Sequence, residues 1–158
     1  MEYRLFMHLL LVTSLLWLLS LDAMAVESNQ TTVMSKRIAL TFDDAPRPDT
    51  ACLSRFQRQQ RLLNKLAILD GVPAMFMVTT QHIEQHGDDT LRAFVEAGHI
   101  LGNHSHSHQH PERMGVDAYL ADIKYAHNQL THWKQYYPYY RFPFLNEGRT
   151  ESVRDAIR

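Results

Sequence analysis

Three groups of reactive side chains lie along the chain, each closing a short apolar run. The first is Thr41-Phe42-Asp43-Asp44. Adjacent carboxylates have diverging side chains, so one can serve a cation while the other takes a proton. Alone, the pair also suits an acidic turn, since Asp is a common turn residue. The second is His104-Ser105-His106-Ser107-His108. In helical or near-helical backbone His104 and His108 stand at i and i+4 and face the same way. Two imidazoles so placed can ligate one divalent ion, and His106 then points elsewhere. The competing reading is a solvated His-rich loop with incidental metal affinity. The third is Arg141-Phe142-Pro143-Phe144. An arginine at a strand end can hold a carboxylate bidentately and keep it ionised. The proline fixes the turn that follows, and a backbone N–H just beyond could face a reacting centre. The plain alternative is a surface arginine beside a core aromatic pair. His99 and His110 lack a partner at ligand spacing and read as structural or surface groups.

The elements that must carry these groups can be read from periodicity. Residues 37–42 are apolar, β-branched or aromatic and end at acidic and Pro-rich punctuation, which predicts a buried strand. Asp49-Thr50 offers an N-cap, and Leu53, Phe56, Leu63, Leu66 and Ile68 or Leu69 follow at helical spacing. Gly71 closes that helix. Residues 73–79 predict a second strand. A second helix in two pieces follows, broken at His86-Gly87, with Leu91, Phe94 and Val95 inward and Gly98 at its end. Residues 99–102 predict a very short third strand. Asp117 starts a third helix whose stripe is Tyr119, Leu120, Ile123, His127, Leu130 and Trp133. Residues 139–142 predict a fourth strand, and residues 150–158 begin another helix. Apolar strands alternating with helices argue for an α/β fold with parallel pairing. In such folds reactive residues gather at the C-terminal ends of the strands, where all three groups fall.

Composition narrows the classes. The chain has 158 residues, enough for one domain, with 45% hydrophobic and 21% charged residues. A net charge of -1 gives no basic face for nucleic acid. Five of the ten histidines lie between His99 and His110. The single cysteine, Cys52, has no internal partner and reads as a buried or half-buried small hydrophobe where a helix begins.

Residues 1–25 read as an address. Arg4 gives a positive start, residues 9–21 are almost wholly apolar, and Ala23-Met24-Ala25 is a small-x-small cleavage pattern. A signal peptide cleaved after Ala25 is expected. An uncleaved N-terminal anchor with Trp17 near the interface is the rival, and either one exports the rest. Membrane contact is expected only through this segment. Residues 26–35 read as a polar linker, and residues 36–158 as the domain.

Taken in order, T-F-D-D, H-S-H-S-H and R-F-P-F make the chain similar to the polysaccharide deacetylases that share the NodB-homology domain. Gly98-His99 and Gly102-Asn103 ahead of the histidines agree with the same pattern. The resemblance covers residues 36–158. It implies a distorted βα barrel, here partial, and removal of acetyl groups from an N- or O-acetylated polysaccharide. It assigns Asp44, His104 and His108 to one divalent ion, usually Zn2+, with Co2+ an alternative. Such an ion acidifies water and polarises the acyl carbonyl. The resemblance makes Asp43 the general base, sets Arg141 to orient it, and gives the backbone N–H of Phe144 to the oxyanion. The family's third motif more often ends in tyrosine. Its late acidic, Trp-containing and histidine motifs have no counterpart after Arg141, and His127 and His132 do not match them. The chain therefore reads as the N-terminal part of a barrel: a fragment, a truncated product or one part of a split protein. An open barrel leaves an unpaired strand edge. The alternative function is a catalytically dead exported module that binds metal or glycan.

Overall fold

The computed structural model describes residues 38–69, 71–148 and 151–157. The expected signal segment and linker lie outside them. Among the described residues no helix is long and apolar enough to cross a membrane.

The elements alternate as the periodicity requires. They are β1 (Leu40–Ala45), α1 (Arg55–Ile68), β2 (Ala74–Val78), α2 (Thr80–His86), α3 (Asp89–Glu96), β3 (Ile100–Asn103), α4 (Pro111–Met114), α5 (Val116–Leu130), β4 (Tyr136–Tyr140), a 3-10 turn (Pro143–Leu145) and α6 (Glu151–Ile157). The strands form one sheet in the order β1-β2-β3-β4. All three pairings are parallel. The predicted α/β class and parallel pairing are therefore what the chain forms.

The core lies between this sheet and the helices. Phe42 on β1 stacks with Phe76 on β2, which stacks with Phe94 on α3 at centroid distances of 5.2 and 3.8 Å. Val78, Leu91, Leu101 and Leu130 are fully buried around that stack. Alternation along β1 then turns Thr41 and Asp43 to the opposite face. Gly102 leaves room for its neighbours: a Cβ there would meet Met77 Sδ at 2.6 Å, and that flexible side chain would have to shift. Three interstrand gaps of about 4.8 Å would hold β1 and β4 about 14 Å apart in a flat sheet. Arg141, just past β4, nevertheless bonds Thr41 and Asp43 on β1, so the sheet is curled as an arc of barrel.

Several local expectations shift. β1 runs through the acidic pair rather than ending at Phe42, and β4 ends at Tyr140, before Arg141. The α1 cap is Ser54 in a capping box with Gln57, not Asp49 or Thr50. Asp49 still accepts the Arg55 N–H, and Thr50 closes a turn onto Leu53. With the helix starting later, Cys52 lies in the preceding loop and is exposed, not buried. Phe56 is 65% exposed. At about 100° per residue it falls at the margin of the stripe built by Gln59, Leu62 and Leu66. The break at Gly87 is present, with φ 77°, a value glycine adopts without strain.

Candidate metal centre

The histidine pair is not helical. His104 and His108 lie in a loop after β3, where Ser105 and His108 have φ of 71° and 54°. The convergence expected from i,i+4 spacing is made by that loop's hydrogen bonds. His104 N–H extends the sheet by donating to the Val78 carbonyl at 2.9 Å. The carbonyls of Ser105 and His106 accept from Thr80 and Gln81 on the first turn of α2. Asn103 Oδ1 accepts the Ser105 N–H at 2.8 Å, and Ser105 Oγ accepts the His108 N–H at 3.0 Å. Asp122, buried on α5, accepts the His106 N–H at 2.8 Å and the Ser107 N–H at 3.1 Å.

Asn103, Ser105 and Asp122 were not expected to matter. A signal for Asp122 was present: it falls three residues after Tyr119 and four before Ala126, on the face α5 buries. A carboxylate on an inward stripe needs donors to pair with.

Asp44 comes to this loop from the end of β1. Its φ of 64° is one that Asp tolerates. One oxygen, Oδ1, stands 3.0 Å from His108 Nε2 and 3.6 Å from His104 Nε2. Ligands about 2.1 Å from a tetrahedral zinc ion lie about 3.4 Å from each other, and these separations straddle that value. The chemistry of the donor set agrees as well. The other nitrogen of His104, Nδ1, lies 2.9 Å from the Arg141 carbonyl and must carry the proton there. Nε2 is then left with its lone pair, as a metal ligand requires. Burial pushes the pKa of His108 below its ordinary 6.5, against the pull of Asp44. The three side chains are also a group whose ligand atoms all lie within 4.8 Å of one another. They fit a single divalent ion.

Asp43 points to the concave side and is 35% exposed there. Arg141 Nη1 donates to Asp43 Oδ1 at 2.6 Å and to Thr41 Oγ1 at 3.0 Å. One nitrogen serves both, so the expected bidentate clasp is replaced by a bridge. The backbone of Arg141 also donates to the Asn103 carbonyl at 3.0 Å. Phe144 sits in the 3-10 turn with φ 58°, its ring 4.6 Å from that of His108. Four other histidines do other work. His106 contacts Thr80 Oγ1 at 2.9 Å and packs against Tyr125. His99 is buried and accepts the Ala74 N–H. His110 stacks on Phe144, and His127 meets the Tyr136 hydroxyl.

A parallel sheet curled into an arc, with an Asp–His–His cluster and an arginine-held carboxylate at its strand ends, is thus the frame of this molecule. The chain belongs to the polysaccharide deacetylase family, whose model matches residues 30–158. It is similar to peptidoglycan deacetylase PdaC from Bacillus subtilis, with 29% identity and a TM-score of 0.59 over 76% of this chain and 54% of that one. It is similar in fold to a family 4 carbohydrate esterase from Streptomyces lividans, with 24% identity, a TM-score of 0.59, and 77% and 57% of the two chains covered. Likeness in fold extends to BA3943, a pseudoenzyme of that family from Bacillus anthracis, with 20% identity, a TM-score of 0.61, and 77% and 40% covered. The chain thus spans about half the length of these structures. No protein of curated function matches the sequence.

Proposed function

We propose that this chain carries the metal-binding half of an exported deacetylase acting on N- or O-acetylated polysaccharide, and that Asp44, His104 and His108 hold one divalent ion, zinc or cobalt. The observation that carries the reading is the meeting of Asp44 Oδ1 with the Nε2 atoms of both histidines. When bound, such an ion supplies a Lewis acid that polarises the acyl carbonyl and acidifies water. Asp43 takes the proton of the attacking water and is the general base. Arg141 fixes the direction of that carboxylate and, through its carbonyl, the tautomer of His104. The backbone N–H of Phe144 donates to the oxyanion that forms at the carbonyl. Acetate leaves, with a free amine or hydroxyl on the sugar.

A second reading is metal or glycan binding without turnover. The chain spans about half the length of the solved structures it resembles. The similarity to a pseudoenzyme supports the same reading.

Calorimetry with zinc on the secreted chain tests the site. About one ion should bind per chain, and His104→Ala or His108→Ala should weaken it by more than about 100-fold. Variants that bind as the parent does would refute the ligand set. Acetate release from acetylated glucosamine oligomers and acetylated xylan then separates enzyme from binder. Silence from a folded, zinc-loaded sample defeats the enzyme reading.

A further inference from the structure

His106 is the one histidine of the H-S-H-S-H motif that the proposed centre leaves unused, and it lies between the two that the centre needs. The backbone on both sides of it is strained. Ser105 and His108 have φ of 71° and 54°, left-handed values that persist in non-glycine residues only where the surroundings hold them. The His106 side chain ties this stretch to two helices. Its Nδ1 is hydrogen-bonded to the Thr80 hydroxyl at 2.9 Å. Its Nε2 stands 4.0 Å from Glu84 Oε2, at the outer limit of an ion pair. Thr80 and Glu84 are i and i+4 on α2, so one face of that helix meets both ring nitrogens. The ring also packs edge to face on Tyr125 of α5, with centroids 4.6 Å apart. The Tyr125 hydroxyl in turn donates to Glu84 Oε1 at 2.8 Å. One imidazole therefore joins the loop, α2 and α5 midway between His104 and His108.

Global stability does not account for this arrangement. The His106 and Glu84 side chains are 23% and 46% exposed and Tyr125 is 44% exposed, and polar contacts so near water add little to folding. What such contacts do well is fix direction, and the partners behind a metal ligand set its orientation and affinity. We propose that His106 is a positioning residue for the metal centre. Held by Thr80, Glu84 and Tyr125, it keeps the loop in the form that converges the Nε2 atoms of His104 and His108 on Asp44. The role rests on the proposed Asp44–His104–His108 centre, and the two can fail separately.

The readouts are zinc affinity by calorimetry and the visible absorption bands of the Co2+-loaded protein, both on the whole chain. His106→Ala should weaken zinc about 10-fold and shift the cobalt bands, with a thermal transition close to that of the parent. Thr80→Val removes the hydroxyl from the helix side without touching the loop, and should also weaken zinc. Added to His106→Ala it should cost nothing further, because the contact is already gone. His106→Asn, which keeps a polar atom near the Nδ1 position, should bind zinc about three-fold tighter than His106→Ala. Should His106→Ala fail to fold, Thr80→Val and His106→Asn carry the comparison with the parent. Parent-like affinity and unshifted cobalt bands in the variants overturn the role, and so do fully additive losses in the double variant. A second equivalent of zinc that His106→Ala removes makes His106 a ligand and overturns it too. A parent that takes up no zinc overturns the centre and this role together, whereas a binding parent with unaltered variants overturns this role alone.

Discussion

Arg141 ties three strands to the candidate centre. Its side chain bridges Asp43 and Thr41, its carbonyl faces His104 Nδ1, and its N–H joins the sheet through Asn103. The motif could reveal only the first of these, because carbonyl and amide contacts depend on no side-chain type. Asp43 is bonded to arginine and stands apart from the Asp44 cluster, which is the separation that the proposed division into base and ligand requires. Asp43→Asn should keep zinc affinity near that of the parent and cut acetate release by about 100-fold or more. Equal loss of metal and turnover would show that the two carboxylates share one role. Asp122 is the hidden support. Asp122→Ala leaves the His106 and Ser107 N–H groups without their acceptor, which should cost about 2–3 kcal/mol in urea unfolding. The same change should weaken zinc about 10-fold or more, because the loop that presents His108 loosens. Unchanged unfolding with unchanged zinc affinity would remove Asp122 from the account.

Strands and helices were legible where the pattern was long or the punctuation strong. The break at Gly87 and the alternation of four strands with helices followed from periodicity and glycine. Ends were less legible. A capping box at Ser54 outcompetes Asp49-Thr50 because it satisfies two backbone donors reciprocally. The histidine loop is not the near-helical backbone its spacing suggests, because its geometry comes from Asn103, Ser105 and Asp122, the last brought to it by the sequence-distant α5. β3 carries a further expectation. His99, at its entry, accepts the Ala74 N–H through Nδ1, which a protonated ring cannot do. Burial holds its pKa below the ordinary 6.5, so the unfolded chain takes up the proton first. Its contribution to stability is whole above that ordinary value and is lost as pH falls through the lower folded-state value. The thermal midpoint should therefore drop between about pH 7 and about pH 5, and drop less in His99→Gln, which keeps an acceptor that does not titrate. Parallel curves for parent and variant would contradict this.

For the molecule as a whole, the sheet explains why residues a hundred positions apart act together. Parallel strands put all their C-terminal ends on one side, and the curl brings Arg141 back over Thr41 and Asp43. The family could be read from three short motifs in order, and the family model matches residues 30–158. The curl could not be read, since it depends on packing between helices and strands rather than on any local pattern. Among the described residues β1 and β4 are the outer strands of the sheet, and the structures it resembles are nearly twice as long as the part matched. The three side chains proposed to hold a cation all come from these strand ends and the loop after β3. X-ray absorption at the zinc edge of the loaded chain examines that centre most directly. The expected spectrum has nitrogen and oxygen neighbours at about 2.0–2.1 Å, with the outer-shell scattering of two imidazole rings that fades to one ring in His108→Ala. A spectrum without imidazole scattering, or one that His108→Ala leaves unchanged, would contradict the assignment.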